Sequence, residues 1–157
     1  MPEFHPAPDG ATLVLDELES QLLRRLTGEL RALLTGSRVG NGPVLDRLFP
    51  DAYETPDDEA AYREIIGDEL FDEKLRALDL LSASLSDGAT EVTIAGEDFG
   101  TWLACITDLR LAIGTQLDVD EERMGAEIDP KDPDAQALTV LHWLGWLQEG
   151  LLRSVAT

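Results

Sequence analysis

The chain of 157 residues has a single cysteine and no long hydrophobic run. One cysteine, Cys105, excludes an internal disulfide and any metal site built from several thiolates. A membrane-spanning helix needs roughly 18 consecutive apolar residues, and the sequence has no such run. Residues 1–8 also lack the basic and apolar regions of a signal peptide. We therefore expect a cytoplasmic protein without a membrane partner.

Basic residues are scarce, with 12 lysines and arginines against 32 aspartates and glutamates, which gives a formal net charge of −20. Proteins that bind nucleic acid neutralise its phosphates with lysine and arginine, so the sequence predicts no direct binding to DNA or RNA. Anionic membrane surfaces are disfavoured for the same reason. Two interpretations stay open. The charge keeps the protein soluble, or it forms an acidic face that docks on a basic protein.

The sequence also lacks motifs of known catalytic and metal sites. It contains no glycine-rich phosphate loop, no serine nucleophile motif and no zinc-protease motif. Its two histidines, His5 and His142, have no nearby ligand pattern. Residues 118–124 alternate carboxylates as a calcium loop does, but the sixth and twelfth positions hold Arg123 and Asp129 instead of glycine and glutamate. We therefore predict that the protein is not an enzyme and uses no cofactor or metal.

Hydrophobic periodicity predicts a mainly α fold. Residues 1–10 are rich in proline and are interpreted as a flexible tail, and residues 11–157 as a single helical domain. Residues 12–15 and 91–94 predict two short strands, each followed by an amphipathic helix, that pair into a small ribbon. The predicted fold is a bundle of six or seven helices with this two-stranded β-ribbon.

Several helix boundaries can be predicted from local signals. Asp16 and Glu19 form a pattern typical of a capping box, and Gly36 ends the helix that follows it. Short helices are predicted near residues 44–49 and after residue 55. Longer helices are predicted for residues 68–85, 97–117 and 134–155.

Arg110 falls inside the apolar arc of its helix, whereas Asp108 points the opposite way. A guanidinium that faces a core requires a carboxylate partner, because an unpaired buried charge costs several kcal/mol. Glu19 and Glu29, on the first helix, are the predicted partners in a structural ion pair. A functional anion site is the alternative. Cys105, at the edge of the same arc, is expected to be an inert buried thiol instead of a redox sensor.

The last helix carries a candidate interaction surface. Its apolar stripe already supplies a core-facing side, and Trp146 projects away from that stripe, near His142 and Arg153. An exposed tryptophan in polar surroundings is often an interaction anchor. We predict that Trp146, His142, Arg153 and Trp143 bind a protein partner or a second copy in a homodimer. The alternative is that residues 36–56 of the same chain cover Trp146.

Three stretches of the chain together resemble one known family. They read Leu-Phe-Pro-Asp-Ala-Tyr at residues 48–53, Asp-Leu-Arg-Leu-Ala-Ile-Gly-Thr at residues 108–115, and Trp-Leu-Gly-Trp-Leu-Gln-Glu at residues 143–149. Their order and spacing resemble a small actinobacterial family catalogued as a domain of unknown function, whose members are also named actinomycete oxidative-stress regulators. The resemblance runs from about Leu13 to Leu152.

The resemblance implies a non-enzymatic intracellular regulator that acts through protein–protein contacts. The implied role is transcription regulation in oxidative stress through a sigma factor. Genes of the family often neighbour that of the Clp protease adaptor, so an adaptor or accessory component of Clp-type regulated proteolysis is the alternative. Since this chain has a single cysteine, we do not expect it to carry an internal disulfide switch.

Overall fold

The computed structural model describes residues 2–36, 48, 68–117 and 127–156. Within these residues the strands are β1 (Glu3–Ala7), β2 (Gly10–Leu15) and β3 (Thr90–Ala95). The helices are α1 (Glu17–Gly36), α2 (Asp68–Ser84), α3 (Phe99–Leu117) and α4 (Ala135–Ala156). A single 3₁₀ turn, Gly96–Asp98, joins β3 to α3.

The predicted bundle of six or seven helices with a two-stranded ribbon is wrong. The described residues form four helices and a three-stranded antiparallel sheet in the order β1-β2-β3. The third strand, β1, comes from the segment that the sequence analysis interpreted as a tail. Prolines made that segment a poor strand candidate, but an edge strand tolerates proline because one of its sides needs no hydrogen bonds. The short helices predicted between residues 44 and 67 lie outside the described residues, apart from Leu48, as does the acidic loop at 118–124.

The predicted pairing of the other two strands is confirmed. Ala11 lies opposite Ile94 and Leu13 opposite Val92 in the antiparallel pair of β2 and β3. Because side chains alternate along a strand, Ala11, Leu13 and Ile94 all project from one face of the sheet, and all three are buried. This face packs on the helices, and β1 extends it with Phe4, which lies opposite Leu13.

The start of α1 confirms the capping box. The backbone N–H of Glu19 donates to Oδ1 of Asp16 at 2.8 Å, and the N–H of Asp16 donates to Oε1 of Glu19 at 3.0 Å. These reciprocal bonds satisfy two donors that a helix end leaves free. The helix ends at Gly36, as predicted, and buries Leu23, Leu30 and Leu34 against the rest of the core.

Helices α3 and α4 form the other large part of the core. They run antiparallel, since Thr107 bonds to Gln148, whereas Arg110, one turn later on α3, lies beside Gly145, one turn earlier on α4. Apolar side chains of both helices are fully buried between them and the sheet, among them Trp102, Ile106, Leu144, Leu147 and Leu151. One side of α4 is therefore buried in the core, and the outer side contacts β1 and remains partly exposed.

Candidate protein-interaction surface

A groove of about 640 Å³ lies between the edge strand β1 and the C-terminal half of α4. We call it the β1–α4 groove. Its lining includes Pro2, Phe4, His5, Pro6, Trp146, Glu149, Gly150 and Arg153. The lining combines aromatic and proline rings with charged side chains at the margin, which is typical of surfaces that anchor another protein.

Trp146 is the most prominent side chain of the groove. Leu144 and Leu147, its neighbours on α4, are fully buried, whereas Trp146 is 50% exposed. The indole therefore lies on the outer side of α4, where the sequence analysis placed it. Its use by a partner stays a prediction.

A close contact between Phe4 and Gly150 holds β1 against α4. A Cβ atom added to Gly150 would lie 2.2 Å from Cε2 of Phe4, which is far inside van der Waals distance. Only glycine at this position lets the aromatic ring lie directly on the backbone of α4. Phe4 is absent from the predicted surface because the prolines of residues 1–10 indicate a flexible tail. The available signal was a glycine in the middle of a helix, which is usually retained for a packing reason.

Trp143 lies elsewhere, so its predicted place on the interaction surface is wrong. The residue is only 8% exposed, and its indole N–H donates to Oε2 of Glu19 at 2.9 Å. A buried tryptophan usually finds such an acceptor. The bond connects α4 to the first turn of α1, and Trp143 therefore has a structural role.

The other two predicted surface residues flank Trp146. His142 lies one turn before Trp146 on α4 and is half-buried. Arg153 is exposed, and its Nη2 donates to Oε1 of Glu149 at 3.0 Å. An exposed ion pair one helical turn apart contributes little to stability, so both side chains can take part in other contacts.

Arg110 has a different partner from the two predicted carboxylates. Its Nη1 donates to Oε1 of Gln148 at 2.6 Å, and Nε2 of Gln148 donates to Oγ1 of Thr107 at 2.7 Å. Glu29 instead lies 3.8 Å from Arg25, one turn away on α1. The predicted pair is wrong because α3 lies against α4, and Arg110 reaches the helix beside it. Its guanidinium lies next to Gly145, where no side chain obstructs it.

A partly buried ion pair joins α2 to α3. Nζ of Lys74 lies 3.1 and 3.0 Å from the two carboxylate oxygens of Asp108. Both side chains are mostly buried, at 16% and 14% exposure. Burial raises the pKa of Asp108, and the charge of Lys74 opposes that rise. Asp108 does point away from Arg110, as expected, but toward another helix of the protein.

The single cysteine lies beneath this ion pair. Cys105 is 1% exposed, and burial raises the pKa of its thiol to about 12, with a smaller contribution from the negative charge of Asp108. The reactive form of cysteine is the thiolate, which is negligible at neutral pH when the pKa is so high. The geometry therefore favours the expected inert thiol over a redox sensor.

Residues 2–36, 48, 68–117 and 127–156 contain neither a metal-binding cluster nor a membrane-spanning helix. No group of three or more histidine, cysteine, aspartate or glutamate side chains there is placed to hold a metal ion. No helix in the same ranges has the length and apolar character needed to cross a membrane.

Comparisons with known proteins identify the family. The model of the family described as Domain of unknown function (DUF2017) matches residues 1–155. A Mycobacterium leprae protein whose name includes the words oxidative stress regulator AosR is 34% identical over 172 aligned residues, which cover 85% of this chain and 77% of that protein. Proteins named oxidative stress regulator AosR from Mycobacterium bovis and Mycobacterium tuberculosis are each 29% identical over 169 residues, with the same coverage. No solved structure matches the chain. The chain thus belongs to the DUF2017 family, and the resemblance seen in its sequence is confirmed.

Proposed function

We propose that this protein is a non-enzymatic regulator of the oxidative-stress response and acts through a protein partner bound at the β1–α4 groove. The observation that carries the proposal is the half-exposed Trp146 in a groove already lined by apolar rings. Tryptophan is among the residues most enriched at binding hot spots, because it offers a large contact area with one polar group. Folding does not require Trp146, since the other side of α4 fills the core.

The regulatory part of the proposal is supported by relatives. The mycobacterial proteins described above carry the name oxidative stress regulator. Transfer of that role to this chain is supported by similarity along most of its length, which includes β1 and α4. Transcription control through a sigma factor is the specific role that we propose.

A protein partner is favoured over nucleic acid by the net charge of −20. A surface this acidic repels phosphates and gains nothing from counterion release. It does attract the basic surfaces of proteins that themselves bind nucleic acid. Regulation of transcription through a partner is therefore more compatible with the charge than direct binding to a promoter.

The buried thiol of Cys105 supports a role in which this chain does not detect the oxidant with its own cysteine. An oxidant attacks the thiolate form, and both burial and the raised pKa suppress it here. We infer that an oxidative signal reaches this protein through its partner or through its abundance.

The experiment is capture of partners from the native host with affinity-tagged wild type, Trp146→Ala and a control variant. Leu18→Ala is the matched control, because Leu18 is also an exposed apolar residue, at 77%, and does not line the groove. We expect the wild type and the control to recover a sigma factor or RNA polymerase. Trp146→Ala should not recover that partner. The thermal midpoint of Trp146→Ala should stay within a few degrees of wild type, since the indole is outside the core.

Two other results would contradict the proposal. Recovery of Clp components instead of transcription proteins would support the adaptor role in regulated proteolysis. Equal recovery of the same partner by Trp146→Ala and wild type would show that the groove is not the binding surface.

A further inference from the structure

The charges around the β1–α4 groove indicate the chemistry of its partner. We propose that the groove takes an arginine- or lysine-rich segment of the partner protein, with one cationic side chain over the face of Trp146 and its charge against Glu149. This inference rests on the proposed function and adds to it the class of segment that is bound.

Many of the protein's own cations are already neutralised. Each of these described side chains contacts a carboxylate of the same chain: Arg24, Arg25, Arg31, Lys74 and Arg153. The sequence nevertheless has 32 acidic residues against 12 basic ones. A surplus of carboxylates therefore remains without a cation from this chain. A basic partner supplies what is missing.

Carboxylates lie beside the groove. Exposed Glu3 begins β1, and exposed Asp9 lies in the turn that follows β1. Glu149 and Arg153 line the groove from α4, and His5, whose Nε2 lies 3.5 Å from Oε2 of Glu3, lines it from β1. The three carboxylates at or beside the groove thus face the guanidinium of Arg153 and the imidazole of His5, around an apolar floor. An anionic or purely apolar segment would not match that arrangement.

Trp146 is itself suited to bind a cation. The face of an indole attracts a lysine or arginine cation more strongly than the ring of tyrosine or phenylalanine does. Glu149 lies three residues after Trp146, so both side chains project from neighbouring positions on one side of α4. A guanidinium stacked on the indole can therefore also contact the carboxylate. Arginine suits this position better than lysine, because its planar group both stacks and forms paired hydrogen bonds.

Glu149 is available for such a contact. Its present partner, Arg153, is one helical turn away, and the two side chains are 58% and 78% exposed. A pair this exposed is weak and is screened by salt. An incoming cation can replace Arg153, whose long side chain can turn into solvent.

A second copy of this chain is a poorer occupant. Two copies would each bring a net charge of −20, and the repulsion between them opposes association. Lysine and arginine side chains, which the groove is proposed to bind, are also scarce on this chain. Self-association is therefore an outcome that the test must be able to detect.

The experiment uses the indole N–H signals of the full ¹⁵N-labelled chain in nuclear magnetic resonance. Trp102 and Trp143 are buried and serve as internal references, while Trp146 is the reporter. The probe is a short synthetic peptide of repeated Arg-Arg-Leu. The matched peptide carries glutamine in place of every arginine. We expect the arginine peptide to shift the Trp146 signal saturably, and the glutamine peptide to leave all three signals unchanged.

Two matched variants then test the role of Glu149. Glu149→Gln and Glu29→Gln each remove one carboxylate from an exposed pair with an arginine four residues away. Glu149→Gln should lower the affinity for the arginine peptide about threefold to tenfold. Glu29→Gln should leave that affinity within about twofold of wild type. Trp146→Ala, followed by calorimetry, should weaken binding by about threefold to thirtyfold.

Four results would overturn the inference. The glutamine peptide could bind as well as the arginine peptide, or Glu29→Gln could weaken binding as much as Glu149→Gln, which would mean diffuse attraction without a site. A Trp146 signal that moves with protein concentration alone would mean that a second copy occupies the groove. If the native partner still requires Trp146 while no arginine peptide binds, the proposed function stands and this inference fails.

Discussion

The contact between Phe4 and Gly150 allows a sharp test of how β1 is held on α4. Alanine normally stabilises the interior of a helix relative to glycine by about 0.5–1 kcal/mol, because glycine loses more backbone freedom on folding. Gly28, in the interior of α1, has no atom within 4 Å of an added Cβ. Gly28→Ala should therefore gain the whole of that stabilisation.

Gly150→Ala should do the opposite. The added Cβ would lie 2.2 Å from Cε2 and 2.6 Å from Cδ2 of Phe4, so the ring must move away from α4. Forcing an extra methyl group into a packed contact costs about 1–3 kcal/mol. After subtraction of the gain in helix propensity, we expect a net loss of about 1–2 kcal/mol. For a protein of this size, that lowers the midpoint of thermal unfolding by about 3–6 °C.

Circular dichroism with heat and urea would measure both variants, and a third variant isolates the cause. In the background Phe4→Ala the ring is absent, so Gly150→Ala should become stabilising by about 0.5–1 kcal/mol, like Gly28→Ala. If Gly150→Ala raises the midpoint in the wild-type background as much as Gly28→Ala does, β1 is not packed on α4 as described. If it destabilises equally with and without Phe4, the clash has another origin.

Three further predictions concern buried polar groups. Trp143→Phe removes the donor to Glu19 and should cost about 1.5–3 kcal/mol in urea denaturation, whereas Trp146→Phe should change stability by less than about 0.5 kcal/mol. The thiol of Cys105 has a pKa of about 12 when folded, so iodoacetamide should modify it only as fast as the protein unfolds. In the unfolded chain the same thiol ionises at a lower pH, so between about pH 9 and about pH 12 ionisation favours the unfolded state. The free energy of unfolding should therefore fall over that range, and Cys105→Ala should lessen the fall. Asp108→Asn should cost about 1–3 kcal/mol, and adding Lys74→Met should recover part of it, as a double-mutant cycle can measure.

The sequence by itself determined the features that depend on a few neighbouring residues. The capping box at Asp16 and Glu19 predicts the start of α1, because both partners lie within one turn. The residue pattern at 12–15 and 91–94 predicts two strands. The period of the last helix also places Trp146 on the side opposite the core, since this follows from the angle between successive residues alone.

Tertiary structure decided which elements lie beside one another. Arg110 was expected to reach a carboxylate on α1, but the neighbour of α3 at that position is α4, which offers Gln148. Trp143 was assigned to the surface because no local pattern shows that Glu19, more than a hundred residues earlier in the chain, receives its N–H. The third strand was missed for the same reason. Pro6 within β1 and Pro8 just after it are ordinary signals against a strand. The contact of Phe4 with Gly150 holds β1 on α4, and no window of local sequence contains both residues.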